Sequence, residues 1–253
     1  MTRTGETVSD LTCDAILNGR LRLVQPRRGH RFGHDAILLA AAVPANSGQH
    51  VAEFGAGVGA ASLALLSRVP ALDATLFEID PALCELADRN IARNGFAAQA
   101  RTIRHDVAAP FAGRRFDHVF MNPPFNDSTL QASPDPGRRT AHDAPPDLLV
   151  RWLGGASRML RDGGTVTLIW RAAGLSHVLH ALEDEFGAIS VLPIYPAPDR
   201  PAIRLIAAAA KGGGAPLQIL PGLTLNDEAR QPSGRAEAIL RQGAPLPLAA
   251  AAL

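Results

Sequence analysis

The chain lacks several features that would assign it to particular protein classes. Its 253 residues include only 2 cysteines, Cys13 and Cys84, which lie far apart without a CxxC spacing. This pattern argues against a disulfide framework and against a zinc site. No apolar run approaches the ~20 residues that a membrane-spanning helix needs, and no apolar stretch follows Met1 as in a secretion signal. We therefore expect a soluble, cytoplasmic protein that binds no metal ion.

A large net charge is also absent, because the formal net charge is only +1. Any binding to nucleic acid must then depend on local clusters of basic side chains. One cluster extends from residue 20 to residue 34 and contains Arg31, and a second contains Arg138 and Arg139. A charged surface exposed to solvent is the alternative interpretation of either cluster.

The chain is 47% hydrophobic, which is enough to bury one substantial core. From residue 50, strand and helix patterns alternate, which predicts a doubly wound, mostly parallel sheet of Rossmann-like type. The last two strands have no helix between them and predict an antiparallel hairpin that completes a seven-stranded sheet. The predicted strands are 50–54, 74–79, 100–105, 116–121, 164–170, 189–195 and 202–210, and the predicted helices are 58–69, 81–94, 146–161 and 175–186.

Two elements are predicted before this sheet. Asn18-Gly19 supplies the two positive-φ positions of a type I′ hairpin turn. A helix over 34–43 follows, with Asp35 in its first turn, where a carboxylate suits the helix dipole. We expect one domain over 1–253, in which a core (50–211) lies between an N-terminal extension (1–49) and a C-terminal extension (212–253).

A glycine-rich loop follows the first strand of the core. Gly55-Ala56-Gly57-Val58-Gly59 leads from that strand into a helix. Such glycines let a nucleotide-like ligand approach the backbone at the carboxyl end of a strand. Gly55, Gly57 and Ala60 also fit the dinucleotide form G-x-G-x-x-A, and Glu78 lies about twenty residues on, where ribose hydroxyls are bound. A nicotinamide-dependent oxidoreductase is therefore one possible interpretation.

Acidic residues favour a different ligand. Glu53 precedes the first glycine on the strand, where it suits a cationic ligand such as S-adenosylmethionine and disfavours a pyrophosphate. At the end of the third strand, Asp106 is placed to accept the adenine amino group of that cofactor, and Val107 to pack on its ring. Helix capping by Glu78 and a plain turn at Asp106 are the structural alternatives.

The segment Asn122-Pro123-Pro124-Phe125 follows the fourth strand. It predicts a binding site for an amino nitrogen whose lone pair is delocalised. The Asn122 side-chain oxygen and the next carbonyl can each accept one N–H, which favours the geometry of the attacking nitrogen. Proline lacks an N–H and has a fixed φ, so the carbonyls stay free to face a substrate. Phe125 offers a ring on which a base or amide can stack, for about 1–3 kcal/mol per base. A Pro-Pro turn that merely closes a strand is the alternative.

The order of these features supports a shared site. The glycine loop, Glu78, Asp106 and Asn122 follow four successive strands, and parallel strands place their carboxyl ends at one edge of the sheet. We expect the cofactor to lie along the first three strands. A nitrogen bound at Asn122 would then face the methyl group in line with the departing sulfur.

These residues resemble the class I methyltransferases with a (D/N)PP(Y/F) motif, which modify amino groups of adenine or of glutamine. The segment from Gln25 to Ala40 resembles the entry segment Q-P-x-x-G-Y-R-F-x-x-D-x-L-L-A of the bacterial valine-tRNA adenine-N6-methyltransferases, within the small-domain superfamily. The segments Pro198–Arg204 and Lys211–Gly213 resemble that family's P-x-K-P-A-x-R…K-G-G ending. The resemblance extends from about Leu23 to about Gln242.

The resemblance implies methylation of an adenine beside the anticodon of a valine tRNA, with S-adenosylhomocysteine as the second product. It implies that Gly55, Gly57, Glu78 and Asp106 bind the cofactor. Arg31 and Asp35 carry over as substrate residues, although Asp35 could instead cap its helix and pair with Arg31. An anticodon-loop base suits such a pocket because a stacked base cannot enter it.

Two further functions stay open from sequence alone. A glutamine methyltransferase acting on a protein shares the NPPF motif, but usually has a helical N-terminal domain, whereas only residues 1–49 precede the sheet here, and they are predicted to form a hairpin and one helix. An RNA-binding module without catalysis would retain the basic clusters. We expect Arg138 and Arg139 to contact phosphates on one side of an extruded nucleotide.

Overall fold

Strands and helices alternate through the computed structural model, which describes residues 10–28, 31–124 and 147–248. The strands are β1 (Leu11–Ile16), β2 (Leu21–Pro26), β3 (His50–Phe54), β4 (Asp73–Glu78), β5 (Ala100–Arg104), β6 (Phe116–Met121), β7 (Leu160–Arg171), β8 (Phe186–Tyr195), β9 (Arg204–Lys211), β10 (Gln218–Ile219) and β11 (Leu223–Thr224). The α-helices are α1 (His34–Ala42), α2 (Ala60–Arg68), α3 (Pro81–Arg93), α4 (Leu148–Met159), α5 (Leu175–Leu182) and α6 (Gly234–Gln242).

The central sheet has nine strands within these ranges, in the order β10-β8-β9-β7-β6-β3-β4-β5, with β11 also paired to β8. Strand β9 is antiparallel to both neighbours, and the other pairs are parallel. The predicted doubly wound sheet with an antiparallel C-terminal hairpin is therefore confirmed. The predicted seven strands correspond to β3–β9. The other two, β10 and β11, have two residues each, which is too short to produce an alternating pattern in sequence.

Helix boundaries depend on local capping. The Asp80 side chain accepts a hydrogen bond from the Ala82 N–H, and Pro81 occupies the first turn of α3, as the sequence predicts. Helix α6 was not predicted, although Ser233 caps its start and Gly243, with φ 68°, ends it. The helix predicted over 146–161 ends at Met159, because Leu160 already pairs with Phe116 in the sheet. The helix predicted over 175–186 ends at Leu182, and β8 begins at 186.

The N-terminal hairpin turns at the predicted position but through a longer loop. Asn18 and Gly19 have φ of 54° and 82°, and the Arg20 N–H donates to the Leu17 carbonyl at 3.2 Å, but Leu17 also has a φ of 50°, so four residues rather than the predicted two connect β1 to β2. The hairpin packs against α3 and α2 beside the central sheet. It therefore lies next to the loop that connects β3 to α2.

Both faces of the sheet are covered. One hydrophobic cluster includes Leu39 of α1 and Leu63 of α2, and the other includes Phe54, Val119 and Leu153 of α4. The C-terminal segment after α6 also packs on α1, where the Leu246 N–H donates to the Ala41 carbonyl at 2.8 Å. Among the described residues, no helix is long and apolar enough to cross a membrane. The two layers of helices leave the carboxyl ends of the parallel strands as the open edge of the fold.

Candidate functional site

The glycine loop between β3 and α2 has a backbone that only glycine adopts easily. Gly55, Gly57 and Gly59 have φ of 64°, 55° and 84°. A β-carbon on Gly55 would lie 2.5 Å from Cη2 of Trp152, whereas a β-carbon on Gly57 would have no atom within 4 Å. Gly57 therefore presents bare backbone to open space, while Gly55 lies under the indole of Trp152. The N–H of Ala56 donates to the Phe77 carbonyl at 3.0 Å, which ties the loop to β4.

Glu78 lies at the end of β4 and is 7% exposed. Its Oε2 accepts the backbone N–H of Gly57 at 2.8 Å. Its Oε1 accepts the N–H groups of Ile79 and Asp80 at 2.8 and 3.0 Å. The carboxylate thus stabilises the loop and the start of α3 together, and it retains acceptor capacity because an ionised carboxylate has about four lone-pair sites. The capping alternative and the ligand-binding interpretation are both compatible with this geometry.

Glu53 lies inside the fold, with 5% exposure. Its Oε2 accepts the backbone N–H and the hydroxyl of Ser62, at 2.9 and 2.5 Å, within the first turn of α2. Burial raises the pKa of Glu53 to about 7, although the hydrogen bonds from Ser62 act in the opposite direction. Glu53 therefore stabilises the first turn of α2, which follows the glycine loop.

Asp106 and Val107 follow β5 and differ in exposure. Asp106 is exposed, and its Oδ1 accepts the Ala108 N–H at 2.9 Å, which closes a local turn. Val107 is 4% exposed and belongs to the core cluster that contains Phe54. The side chain expected to pack on an adenine ring is thus covered by the core, and Asp106 is the member of the pair that faces solvent.

Asn122 lies directly beside the glycine loop. Met121 is paired with Phe54 at the end of the parallel β6–β3 register, so Asn122 and Gly55 are the residues that directly follow these two neighbouring strands. The side-chain Oδ1 of Asn122 is buried and has no hydrogen-bond partner among the described residues. A buried amide oxygen without a partner costs free energy, so it is a site at which a ligand N–H would be stabilised. Pro123 is buried and Pro124 is half-buried.

Arg31 and Asp35 do not pair with each other, so that part of the sequence interpretation is wrong. Arg31 donates to Asp14 Oδ2 at 2.9 Å, and Asp35 accepts from Arg204 at 2.8 Å. Both pairs join segments that are distant in sequence, which local spacing cannot reveal. Arg204 is opposite Arg171 at the end of β7, so the second pair lies at the same sheet edge as the Asn122 site.

Three candidate residues, Phe125, Arg138 and Arg139, lie outside the described residues. Their predicted contacts with a base and with phosphates stay predictions.

Sequence reasoning missed two residues at this edge. Trp152, on α4, covers Gly55, and its ring is edge-on to Phe54 with centroids 6.4 Å apart. Ile79 follows Glu78 and is 61% exposed, which leaves a large apolar side chain at the open end of β4. The only sign of Ile79 in the sequence is that an apolar residue follows Glu78, the acid at the end of β4. The contact of Trp152 depends on the path of α4 and left no signal in the sequence.

The described part of the site combines three chemical properties. The glycine loop offers open backbone, the acids Glu78 and Asp106 offer acceptors along the adjacent strand ends, and Asn122 offers an unpartnered amide oxygen. The geometry suits a nucleoside-like ligand across β3–β5 with an N–H donor beside it at β6. Within the described residues, no group of three or more His, Cys, Asp or Glu side chains is arranged to hold a metal ion.

Comparisons with known proteins agree on the type of domain. Residues 31–194 match the model of the methyltransferase small domain family. A tRNA1(Val) (adenine(37)-N6)-methyltransferase of Bacteroides thetaiotaomicron is 25% identical over 199 residues, which are 78% of this chain and 78% of that protein. The protein of the same name from Porphyromonas gingivalis is 33% identical over 148 residues, 55% of this chain and 58% of that protein.

Other relatives carry different names. A release factor glutamine methyltransferase of Moorella thermoacetica is 32% identical over 125 residues, so the match spans 47% of this chain and 44% of that protein. A solved structure described as a predicted O-methyltransferase, from Agrobacterium tumefaciens, has a TM-score of 0.72 and 25% identity over 84% of this chain and 98% of that chain. A tRNA (m1A58) methyltransferase from Aquifex aeolicus has a TM-score of 0.53 at 17% identity, over 74% of this chain and 72% of that chain, which shows a shared fold.

Proposed function

We propose, on the premise that this chain belongs to the methyltransferase small domain family, that it methylates the exocyclic amino nitrogen of an unpaired adenine in RNA. The family membership confirms the resemblance read from the sequence and favours a methyltransferase over a nicotinamide-dependent oxidoreductase. The methyl donor is S-adenosylmethionine, which becomes S-adenosylhomocysteine when its methyl group is transferred. We assign the catalytic core to residues 50–211, with the segments 1–49 and 212–253 as extensions.

The residues present fit this donor. Gly57 has open space where a β-carbon would lie, Glu78 and Asp106 supply acceptors for hydroxyl and amino groups, and Ile79 supplies an exposed apolar surface for a ring. The donor supplies a methyl group on a positively charged sulfur. We assign Gly55, Ala56, Gly57 and Gly59 to its binding loop, Glu78 and Asp106 to its polar contacts, and Glu53 to the positioning of α2 beneath it.

The observation that carries the proposal is the buried Oδ1 of Asn122, which has no hydrogen-bond partner in the part of the chain that the structure describes and follows the strand next to the glycine loop. An amide oxygen accepts one hydrogen of an amino group, and the carbonyl of Pro123 can accept the other, since proline contributes no competing N–H. These bonds localise the lone pair on nitrogen and stabilise the positive charge that develops during transfer. No strong base is needed before attack, and the methylated nitrogen releases its extra proton to water.

We propose tRNA, and an anticodon-loop adenine in particular, as the substrate. The support comes from relatives whose names include tRNA1(Val) (adenine(37)-N6)-methyltransferase, one of which aligns over 199 residues. The release factor enzyme of Moorella thermoacetica aligns over 125 residues, a shorter stretch than the 199 residues of the Bacteroides tRNA enzyme. An RNA loop base reaches a recessed amide oxygen because it is unpaired.

Of two rival acceptors, only the hydroxyl differs from adenine in the chemistry that the site must supply. A glutamine amide also presents two N–H groups to Asn122, so the glutamine methyltransferase is the closer rival. A hydroxyl acceptor, as the name of the Agrobacterium neighbour suggests, has one hydrogen and needs a base to remove it. Two acceptors without a base at Asn122 and Pro123 favour nitrogen over oxygen.

The test is incubation of the purified protein with labelled S-adenosylmethionine and, separately, total tRNA, release factor protein and small catechols. Label in tRNA that nucleoside mass spectrometry identifies as N6-methyladenosine supports the proposal. Label only in protein would replace adenine by glutamine. An unlabelled tRNA fraction from cells that lack this protein is the best substrate, because its target adenine is unmodified.

A further inference from the structure

Asn90, in the last turns of α3, is fully buried and bridges two parts of the chain that are distant in sequence. Its Nδ2 donates to the carbonyls of Val24 in β2 and Val58 in the glycine loop, at 2.9 and 3.0 Å. Its Oδ1 accepts the Val24 N–H at 2.7 Å. The exposure of Asn90 is 0%, so each of these bonds is made without water in competition.

Asn94, one helical turn later, binds the hairpin in the same way. Its Oδ1 accepts the Arg22 N–H at 2.9 Å, and its Nδ2 donates to the Arg22 carbonyl at 2.9 Å. Residues four apart on a helix share a face, and Arg22 and Val24 are two apart on one edge of a strand. The two carboxamides therefore occupy the free edge of β2 as a neighbouring strand would.

The two asparagines differ in their third hydrogen bond. Asn94 donates to the carbonyl of Asn90 within its own helix at 2.8 Å, whereas Asn90 donates to Val58 of the glycine loop. Val58 lies between two glycines with positive φ, and its side chain packs in a small cluster with Val24 and Leu86. Because glycine confers little rigidity, a fixed carbonyl at Val58 limits the conformations of the loop.

We propose that Asn90 is a positioning residue for the cofactor loop, which makes the geometry of that loop depend on the docked N-terminal hairpin. One carboxamide joins β2, α3 and the loop, so a change that loosens one contact loosens the others. Cofactor binding and hairpin docking are then linked, and each stabilises the other by the same free energy. The inference rests on the proposed role of the glycine loop in binding S-adenosylmethionine.

The experiment compares Asn90→Ala with Asn94→Ala as a matched control, since each removes three hydrogen bonds and two of them go to β2. Isothermal calorimetry with S-adenosylhomocysteine should show about tenfold weaker binding for Asn90→Ala and a change within about twofold for Asn94→Ala. Hydrogen exchange should show that S-adenosylhomocysteine protects the amides of 21–25 in the wild type and in Asn94→Ala but not in Asn90→Ala.

A loss of stability alone must be separated from positioning. Ile239→Ala on α6, which packs on α1 and β11, makes a core cavity away from the loop. If that variant weakens binding as much as Asn90→Ala at an equal loss of Tm, or if the two asparagine variants bind alike, the inference is overturned. If Asn90→Ala does not fold, hydrogen exchange of the wild type alone tests the inference. The proposed link between cofactor binding and hairpin docking would be contradicted if S-adenosylhomocysteine gave the Val24 amide no added protection. A wild type that does not bind the ligand would overturn the proposed function itself.

Discussion

The backbone N–H of Gly57 donates to Glu78 Oε2 at 2.8 Å, so the acid at the end of β4 fixes the glycine loop at the end of β3. Its second oxygen accepts two N–H groups at the start of α3. Three backbone donors thus converge on one buried carboxylate. A ligand between these two strand ends would meet a loop and a helix start that are already oriented.

Replacement of Glu78 by Gln should therefore weaken S-adenosylhomocysteine binding by at least tenfold. The amide keeps one acceptor oxygen, but its NH₂ must face at least one of the backbone N–H groups that the carboxylate now accepts. The control is Asp80→Ala, which removes the cap of α3 and should cost about 1 kcal/mol of stability with little change in affinity. Equal loss of affinity in both variants, measured by calorimetry, would show that only the helix start matters.

Much of this edge could be predicted from sequence because its residues are local to strand ends. Alternating strand and helix patterns place Gly55, Glu78 and Asn122 after successive parallel strands, and parallel strands share a carboxyl edge. The turn at Asn18-Gly19 and the cap at Asp80 were equally local. Each depends on residues within a few positions of one another, which a sequence displays directly.

The rest could not be predicted because it depends on contacts between distant segments. Asp35 pairs with Arg204, 169 residues away, and not with Arg31. The bonds of Asn90 span 66 residues to Val24 and 32 to Val58. An asparagine on a helix gives no sign in sequence of which backbone it will bind, since the partner is set by how helix and hairpin pack.

Asn122→Ala should separate activity from stability. Its Oδ1 is buried without a partner among the described residues, so removing it should leave the unfolding free energy unchanged or raise it by up to about 1 kcal/mol. The same change should lower kcat about 10²- to 10³-fold, by analogy with the loss of one transition-state hydrogen bond, with cofactor affinity unchanged. Single-turnover kinetics and calorimetry measure these quantities. Full activity in the variant would remove Asn122 from the mechanism.

The contact of Gly55 with Trp152 predicts a rescue. Gly55→Ala should be destabilised by the positive φ, for about 1–2 kcal/mol, and additionally by the approach of Cη2 to 2.5 Å. Trp152→Leu in the same chain should remove the second penalty, giving a favourable coupling of about 1 kcal/mol or more in a double-mutant cycle. Gly57→Ala is the matched control, since its φ is similar and it has no neighbour within 4 Å. Its destabilisation should be independent of Trp152, and a similar coupling there would contradict the steric explanation.

Two buried titratable groups on neighbouring strands should give the stability opposite dependences on pH. Burial raises the pKa of Glu53 to about 7 from its ordinary 4.5. Between these values the unfolded carboxyl is ionised and the folded one is protonated, so stability falls as the pH rises. Burial lowers the pKa of His118 to about 4 from 6.5, so its contribution rises with pH through that range. Between about pH 4.5 and 6.5 these two contributions to the unfolding free energy have opposite slopes. They therefore largely cancel when the stability of the wild type is measured against pH.

A difference measurement against Glu53→Gln isolates the carboxyl, because His118 titrates in both proteins and cancels. The amide keeps an acceptor for Ser62 and does not ionise. The unfolding free energy of the wild type minus that of the variant should fall by on the order of 3 kcal/mol from about pH 4.5 to about pH 7, at about 1.4 kcal/mol per pH unit. Urea unfolding at half-unit pH steps measures it. A flat difference would show that Glu53 is not protonated more readily in the folded state, and a difference that rises with pH would show that the Ser62 hydrogen bonds outweigh burial. His118→Gln removes the contribution that rises with pH. The unfolding free energy of this single variant should therefore fall directly as the pH rises from about 4.5 to about 7.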